Sequence, residues 1–310
     1  MSSLIARHPQ LSLLLALLLA WALDALFGEP PEALHPVAWL GRLLWPLGCR
    51  LRSLPPRTAL CSGALIWAVL AGALGTGAWW LQARLLVQPV WLSVPLLALL
   101  LKPMFTWRAL HDEVAAVEDV LEQDIESARE RLSQLVSRDV SALNEAMTRE
   151  TAIEALAENL SDCVVAPLFW FAVFGLPGAV VYRFANTADA MWGYRGIWEW
   201  TGKWAVRAND VCSWVPARVT ALLLRPICRR KDWRTLKRHA RRTPSPNSGW
   251  PMSAMALRLG VRLSKHGAYV INESGVSPTP ASVARGLSIA ATAAWAGMLL
   301  AVFIWALRAL

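Results

Sequence analysis

Residues 59–81 carry no charge over 23 consecutive positions. An α-helix rises about 1.5 Å per residue, so such a run crosses the roughly 30 Å of a bilayer core. In lipid only a helix or a closed barrel satisfies its own backbone, so the run predicts a transmembrane helix. Residues 11–27 (LSLLLALLLAWALDALF), 85–101 (LLVQPVWLSVPLLALLL) and 286–307 predict three more. Only Gln82-Ala83-Arg84 separates 59–81 from 85–101, which predicts a tight helical hairpin turning there. Two apolar segments are broken: 163–181 by Pro167, Gly175, Pro177 and Gly178, and 211–224 by Pro216 and Arg218. Irregular backbone at membrane depth is tolerated where it is buried in protein or lines a cavity, so these form two full spans or one re-entrant unit.

Composition agrees with a bilayer as solvent. The chain is 55% hydrophobic and 17% charged, against about 45–50% and about 25% in soluble domains. Disorder, a coiled coil and a nucleic-acid-binding tail are poor fits to that combination. The net charge of +9 would point to nucleic acid in a soluble protein. Here most of the 31 Lys and Arg fall in 28–58, 102–162 and 225–285, the distribution of cytoplasmic loops in a protein whose N-terminus lies outside. The run 225–242 reads as a topogenic stretch facing lipid headgroups, with binding of an anionic substrate as the alternative. Ala20-Trp21-Ala22 has the form of a leader-peptide cleavage site, but a longer pattern, quoted below, continues through it. The five cysteines (Cys49, Cys61, Cys163, Cys212, Cys228) show no C-x-x-C spacing and the five histidines no H-x-x-x-H pair, which gives neither a disulfide framework nor a zinc site.

Residues 105–162 differ in kind. They are rich in Ala, Glu, Arg and Leu, and apolar positions 114, 117, 120/121 and 125 recur at helical spacing. They predict a cytoplasmic helical hairpin, its second arm from about Ser141 to Leu160, inserted in a single membrane-embedded domain covering 1–310. The expected fold is an all-α polytopic integral membrane protein with four transmembrane helices, one or two broken or re-entrant segments, and this hairpin. No internal repeat, Walker A motif or G-x-G-x-x-G is present.

Several polar clusters can carry chemistry, and each has a plainer explanation. Glu150, Glu154 and Glu158 are four apart and share one helical face; they are a solvated acidic stripe, or ligands for Mg²⁺ and its phosphates where the helix runs through Asn159 and Asp162 into the broken segment. In YRFANTADAMWGYR (182–195), Asn186, Thr187 and Asp189 cluster among aromatic residues, with Lys203 and Asn209-Asp210 further on; they are loop residues, or groups suited to metal–phosphate chemistry. Ser245-Pro246-Asn247-Ser248-Gly249 leads into an apolar helix, as an N-cap or as an anion site. Asp24, inside the first span, should face protein or water, and His35 before Pro36 reads as a turn residue.

Five stretches together resemble the adenosylcobinamide-phosphate synthase family of cobalamin biosynthesis (CobD/CbiB): LDALFGEPPEALHPVAWLGRL, SRDVSALNEAMTRETAIEALAENLSDCVVAPLFW, YRFANTADAMWGYR, ANDVCSWVPARVTALLL and SPNSGWPMSAMALRLGVRL. They occur in family order and cover most of 22–263. Cys163 and Ala142 stand where the family pattern has glycine; both are small. The resemblance implies an integral membrane ligase of the cell inner membrane with its active site facing the cytoplasm. It would join adenosylcobyric acid to (R)-1-aminopropan-2-yl phosphate, or to ethanolamine phosphate, with ATP as cosubstrate and Mg²⁺, giving adenosylcobinamide phosphate. Its implied partners are the corrinoid, the amino-alcohol phosphate and membrane lipid, with a second copy or other cobalamin-pathway enzymes besides, and no nucleic acid. On this resemblance Glu154, Glu158, Asp162, Asp189 and Lys203 are the catalytic candidates. Glu158, Asp162, Asp189 and Asp210 are the metal ligands. Arg183, Asn186, Asn209, Ser245, Asn247 and Ser248 bind substrate. If ATP is cytoplasmic, residues 182–210 must be reachable from that side, which favours the re-entrant form of 163–224. A transporter or a non-catalytic membrane sensor are the competing functions; a secondary transporter usually shows paired repeats.

Overall fold

The computed structural model describes residues 9–225, 230–265 and 267–309. His8, Cys228, His266 and positions 226–229 of the basic run lie outside them. The described chain is almost entirely helical: α1 (Pro9–Phe27), α2 (Pro36–Leu51), α3 (Pro56–Leu86), α4 (Val90–Leu101), α5 (Arg108–Leu121), α6 (Ile125–Leu135), α7 (Glu145–Asn159), a π-helical turn (Leu160–Val165), α8 (Ala166–Phe174), α9 (Leu176–Trp192), α10 (Glu199–Leu224), α11 (Arg230–Ala240), α12 (Gly249–Leu259) and α13 (Pro280–Ala309). Five helical runs are long and apolar enough to cross a membrane: Pro9–Phe27, Pro56–Leu86, Val90–Leu121, Glu145–Phe174 and Pro280–Arg308. The protein is thus an all-α polytopic membrane protein. The chain divides into two compact units, one of residues up to Thr106 with Ala166–Cys212 and the end of α13 from Met298, the other of Trp107–Val165 and Ser213–Gly297.

In the first unit α1 packs on α4 and α3 on α9. The buried face of α1 is Leu13, Ala16, Leu17, Ala20, Trp21 and Asp24, the i, i+3, i+4 stripe of a helix packed on one side. The buried face of α3 is mostly small, with Ala59, Gly63, Ala71 and Ala78; small residues let backbones approach closely where lipid gives no hydrophobic drive. The hairpin turn between α3 and α4 falls at Val87–Pro89, not at Gln82–Arg84. Gln82 stays in the helix because its Oε1 accepts from Leu176 N at 2.7 Å, capping the start of α9. That contact lies across Gly175, whose φ of +72° carries the chain out of α8; a Cβ there would come 2.5 Å from Gln82 Oε1. The broken segment 163–181 is therefore the end of the π turn, α8, a glycine corner and the start of α9. Segment 211–224 is the second half of a continuous helix. Pro216 lacks the N–H that would bond the Cys212 carbonyl, and Trp170 Nε1 donates to that oxygen instead at 3.0 Å.

In the second unit α5, α6 and α7 pack on one another. The first arm expected for 105–162 is two helices, because Asp124 caps a new one by accepting from Glu126 N at 3.1 Å and Ser127 N at 3.2 Å. The second arm starts at Glu145 because Asn144 Oδ1 accepts from Met147 N at 3.0 Å. A two-stranded antiparallel hairpin, β1 (Leu263–Lys265) and β2 (Tyr269–Ile271), pairs Leu263 with Ile271 and Lys265 with Tyr269 and packs on α7 and α12.

Candidate functional site

The acidic face of α7 is not solvated. Glu150 is 1% exposed and Glu154 6%, and the β-hairpin is what covers them. Glu150 accepts from Arg262 Nη2 at 3.3 Å and Nε at 3.4 Å, and from the Ser264 hydroxyl. Glu154 accepts from the Tyr269 hydroxyl and from Arg138 Nη2 at 3.2 Å; the same Arg138 nitrogen donates to Thr151 Oγ1 at 2.7 Å. Burial, and then the negative charge of Glu154, push the Tyr269 hydroxyl well above the ordinary tyrosine range, so it keeps its proton and donates. The first two acids of the row are thus anchored to the hairpin.

The third is different. Glu158 is half-buried and makes no hydrogen bond or ion pair among the described residues. The charges that act on it are Asp162, Glu154, Lys265 and Arg138. Asp162 stands one turn on, in the π-helical segment Leu160–Val165; π turns inside α-helices are frequent at functional sites. Beside this row is a cavity of about 930 Å³ whose lining includes Arg138, Thr151, Arg242, Arg262, Ser264, Lys265 and Tyr269. Arg242 is held at the rim by Glu273 at 2.9 Å and by the Val270 carbonyl at 2.9 Å.

The loop 243–248 is built from its own side chains. Ser245 Oγ accepts from Asn247 N at 3.2 Å and Ser248 N at 3.3 Å, the turn that starts α12. Asn247 is buried, and its Oδ1 accepts from Arg218 Nη1 at 2.5 Å. Arg218 also donates to the Pro246 carbonyl at 3.0 Å and lies over two rings, Trp214 at 4.6 Å and Trp250 at 4.7 Å. Sequence reasoning gave Arg218 no role.

The remaining candidates belong to the first unit. Residues 182–192 are helical, not loop. Asn209, buried on α10, donates to Asp189 Oδ2 on α9 at 2.7 Å, so these two predicted residues do meet. Thr187 bonds back to the Arg183 carbonyl at 2.7 Å, and Asn186 is half-buried on the same helix. Lys203 faces its own helix, pairing with Glu199 at 3.6 Å and lying 4.4 Å over the Trp200 ring. Asp210 follows Asn209 on α10, half-buried. Of the predicted metal set, Glu158 and Asp162 are in one unit and Asp189 and Asp210 in the other. Among the described residues no three His, Cys, Asp or Glu side chains stand close enough to hold a metal by themselves.

Arg138, Arg242, Arg262, Lys265 and Tyr269 were not among the residues picked out from the sequence. The signal for the hairpin was there: Leu263-Ser264-Lys265 and Tyr269-Val270-Ile271 flank His266-Gly267-Ala268, short runs on either side of a glycine turn.

The comparisons with known proteins agree with one another. A family model described as CobD/Cbib protein matches residues 17–294. The chain is 40% identical to a probable cobalamin biosynthesis protein CobD of Thermococcus kodakarensis, over 89% of this chain and 90% of that one. It is 39% identical to a probable cobalamin biosynthesis protein CobD of Methanothermobacter thermautotrophicus, covering 83% and 86%. With a cobalamin biosynthesis protein CobD of Dehalococcoides mccartyi it shares 35%, covering 85% and 88%. No solved structure matches.

Proposed function

This chain belongs to the CobD/CbiB family, and from that premise we propose that it is a membrane-embedded enzyme of cobalamin biosynthesis. Its reaction is the ATP-dependent amide ligation of adenosylcobyric acid with (R)-1-aminopropan-2-yl phosphate or ethanolamine phosphate. A carboxylate does not condense with an amine at neutral pH. It has to be activated, most simply by taking the γ-phosphoryl group of ATP with ADP as leaving group. Attack by the amine then releases phosphate, and a general base takes the ammonium proton.

The observation that supports this reading is that Glu158 and Asp162 stand one turn apart where α7 runs into the π turn, within reach of the charges of Arg138 and Lys265 in the second unit. Mg²⁺ takes one or two carboxylates and leaves its other positions to water and substrate phosphates. Glu158, half-buried and without a hydrogen bond or ion pair among the described residues, and Asp162 fit that need without a third protein ligand. A bound Mg²⁺ would neutralise charge developing on the transferring phosphoryl group. Glu154 keeps Arg138 and Tyr269 in place. Arg183, Asn186, Asp189, Lys203, Asn209 and Asp210 are the proposed substrate-orienting groups of the first unit, and Ser245, Asn247 and Ser248 those of the second. The excess of Lys and Arg in 28–58, 102–162 and 225–285 supports a cytoplasmic location for this chemistry at the inner membrane, where ATP is available.

The test is direct. Detergent-purified protein is given adenosylcobyric acid, aminopropanol phosphate, Mg²⁺ and ATP, and mass spectrometry looks for the condensed corrinoid. Product that depends on ATP supports the ligase. A folded protein that binds the corrinoid and forms no product moves the weight to transport or sensing.

A further inference from the structure

The cavity beside α7 has more cationic capacity than its internal ion pairs use. Arg138 Nε is buried with no hydrogen-bond partner among the described residues. Lys265, on the exposed side of β1, makes no ion pair among them. Arg262 is 45% exposed, and its contacts to Glu150 are long, at 3.3–3.4 Å. A buried donor without a partner is costly and marks a place for an acceptor from outside. Leu143 and Met147 add apolar surface to the same cavity.

These features select one class of ligand. The volume of about 930 Å³ falls within the roughly 300–1,000 Å³ of small-molecule pockets and exceeds what one phosphate group fills. Several cations around one space suit a chain of phosphates, and an apolar wall suits a base. The sequence has no glycine-rich phosphate loop, so positive charge for a polyphosphate must come from side chains. Resting on the ATP-dependent reading above, we propose that this cavity is the seat of the nucleoside triphosphate. Its phosphates lie against Arg138, Arg242, Arg262 and Lys265, and its base lies on Leu143 and Met147.

Binding, not turnover, tests this. A non-hydrolysable ATP analogue and inorganic tripolyphosphate are titrated with Mg²⁺ into the full-length protein in detergent. Wild type is expected to bind both. Lys265→Ala and Arg262→Ala change exposed side chains and should each weaken both ligands about tenfold, the usual scale for one charged hydrogen bond. Met147→Ser, which removes apolar surface without adding charge, should weaken the analogue and leave tripolyphosphate unchanged. Unaltered affinity for both ligands in the Lys265 and Arg262 variants, with wild-type elution, overturns the proposal; so does a wild type that binds neither. Nucleotide binding that depends on these residues, in a protein that forms no condensed product, keeps this site and sinks the ligase. Condensation with nucleotide affinity intact in both variants does the reverse.

Discussion

Lys102 Nζ lies 3.0 Å from Asp24 Oδ1, joining the only acid of the first span to the start of the segment that follows α4. Asp24 is 1% exposed and Lys102 7%, and Lys102 also reaches Glu29 Oε1 at 2.7 Å. Removing one member of a buried pair strands the other and costs about 3–5 kcal/mol. Asp24→Ala leaves Lys102 with Glu29 and should fall at the low end of that range. Lys102→Ala takes the shared cation from two carboxylates and should cost more. Thermal unfolding in detergent would rank them, and equal midpoints for both variants and wild type would show that the pair contributes nothing.

Glu29 extends the same network toward acid. Its Oε2 is 2.8 Å from His35 Nε2, and His35 Nδ1 accepts from Val37 N at 3.2 Å, so the imidazole proton sits on Nε2 and points at Glu29. Burial opposes ionisation of Glu29, but the hydrogen bonds from His35 and Lys102 and the Lys102 charge outweigh it and hold it at about 2, against 4.5. The folded state binds this proton less tightly than the unfolded chain. The stabilisation is therefore complete above pH 4.5 and is lost as pH falls toward about 2. The melting temperature should drop across that window, and Glu29→Gln should flatten the slope while lowering the midpoint at neutral pH. A variant with the wild-type slope would remove Glu29 as its source.

Along α7 the first and third glutamates of the row, Glu150 and Glu158, should part company. Glu158→Gln is expected to abolish turnover while leaving a folded, membrane-inserted protein, because its carboxylate bonds nothing among the described residues. Glu150→Ala takes the acceptor from Arg262 and Ser264 and should cost stability, about 1.5–3 kcal/mol for charged hydrogen bonds. Comparing melting temperature with turnover separates the two. Full turnover in Glu158→Gln would strike it from the site.

Four of the five spans were legible because hydropathy is a local property; the fifth, Glu145–Phe174, starts in the stretch read as the second arm of the cytoplasmic hairpin. The charge-free stretch 59–81 needs no knowledge of its neighbours, and α3 contains it whole. Helix ends that depend on a distant partner were not legible. Gln82 looks like a turn residue until Leu176, 94 positions away, supplies its partner. The acidic row was visible at its four-residue spacing, but what covers it was not, since Tyr269 reaches Glu154 across 115 positions. The division of Glu158 and Asp162 from Asp189 and Asp210 into separate units likewise has no trace in local pattern.

Arg218 offers the sharpest check on the loop at the start of α12. Its guanidinium lies over both Trp214 and Trp250 while donating to Asn247 and Pro246. Lysine keeps the charge but lacks the planar fork that stacks and donates at once. Arg218→Lys should therefore release Asn247 and loosen residues 243–248 while α12 itself stays folded. Limited proteolysis should cut this loop faster, and the tryptophan near-ultraviolet signal should shrink as the two rings lose their shared partner. If Asn247 orients substrate, the same change should raise KM more than it lowers kcat, whereas Asn247→Ala should reproduce the kinetic effect with the ring signal intact. Wild-type proteolysis and KM in Arg218→Lys would show that charge alone, and not the stacked geometry, is what this position requires.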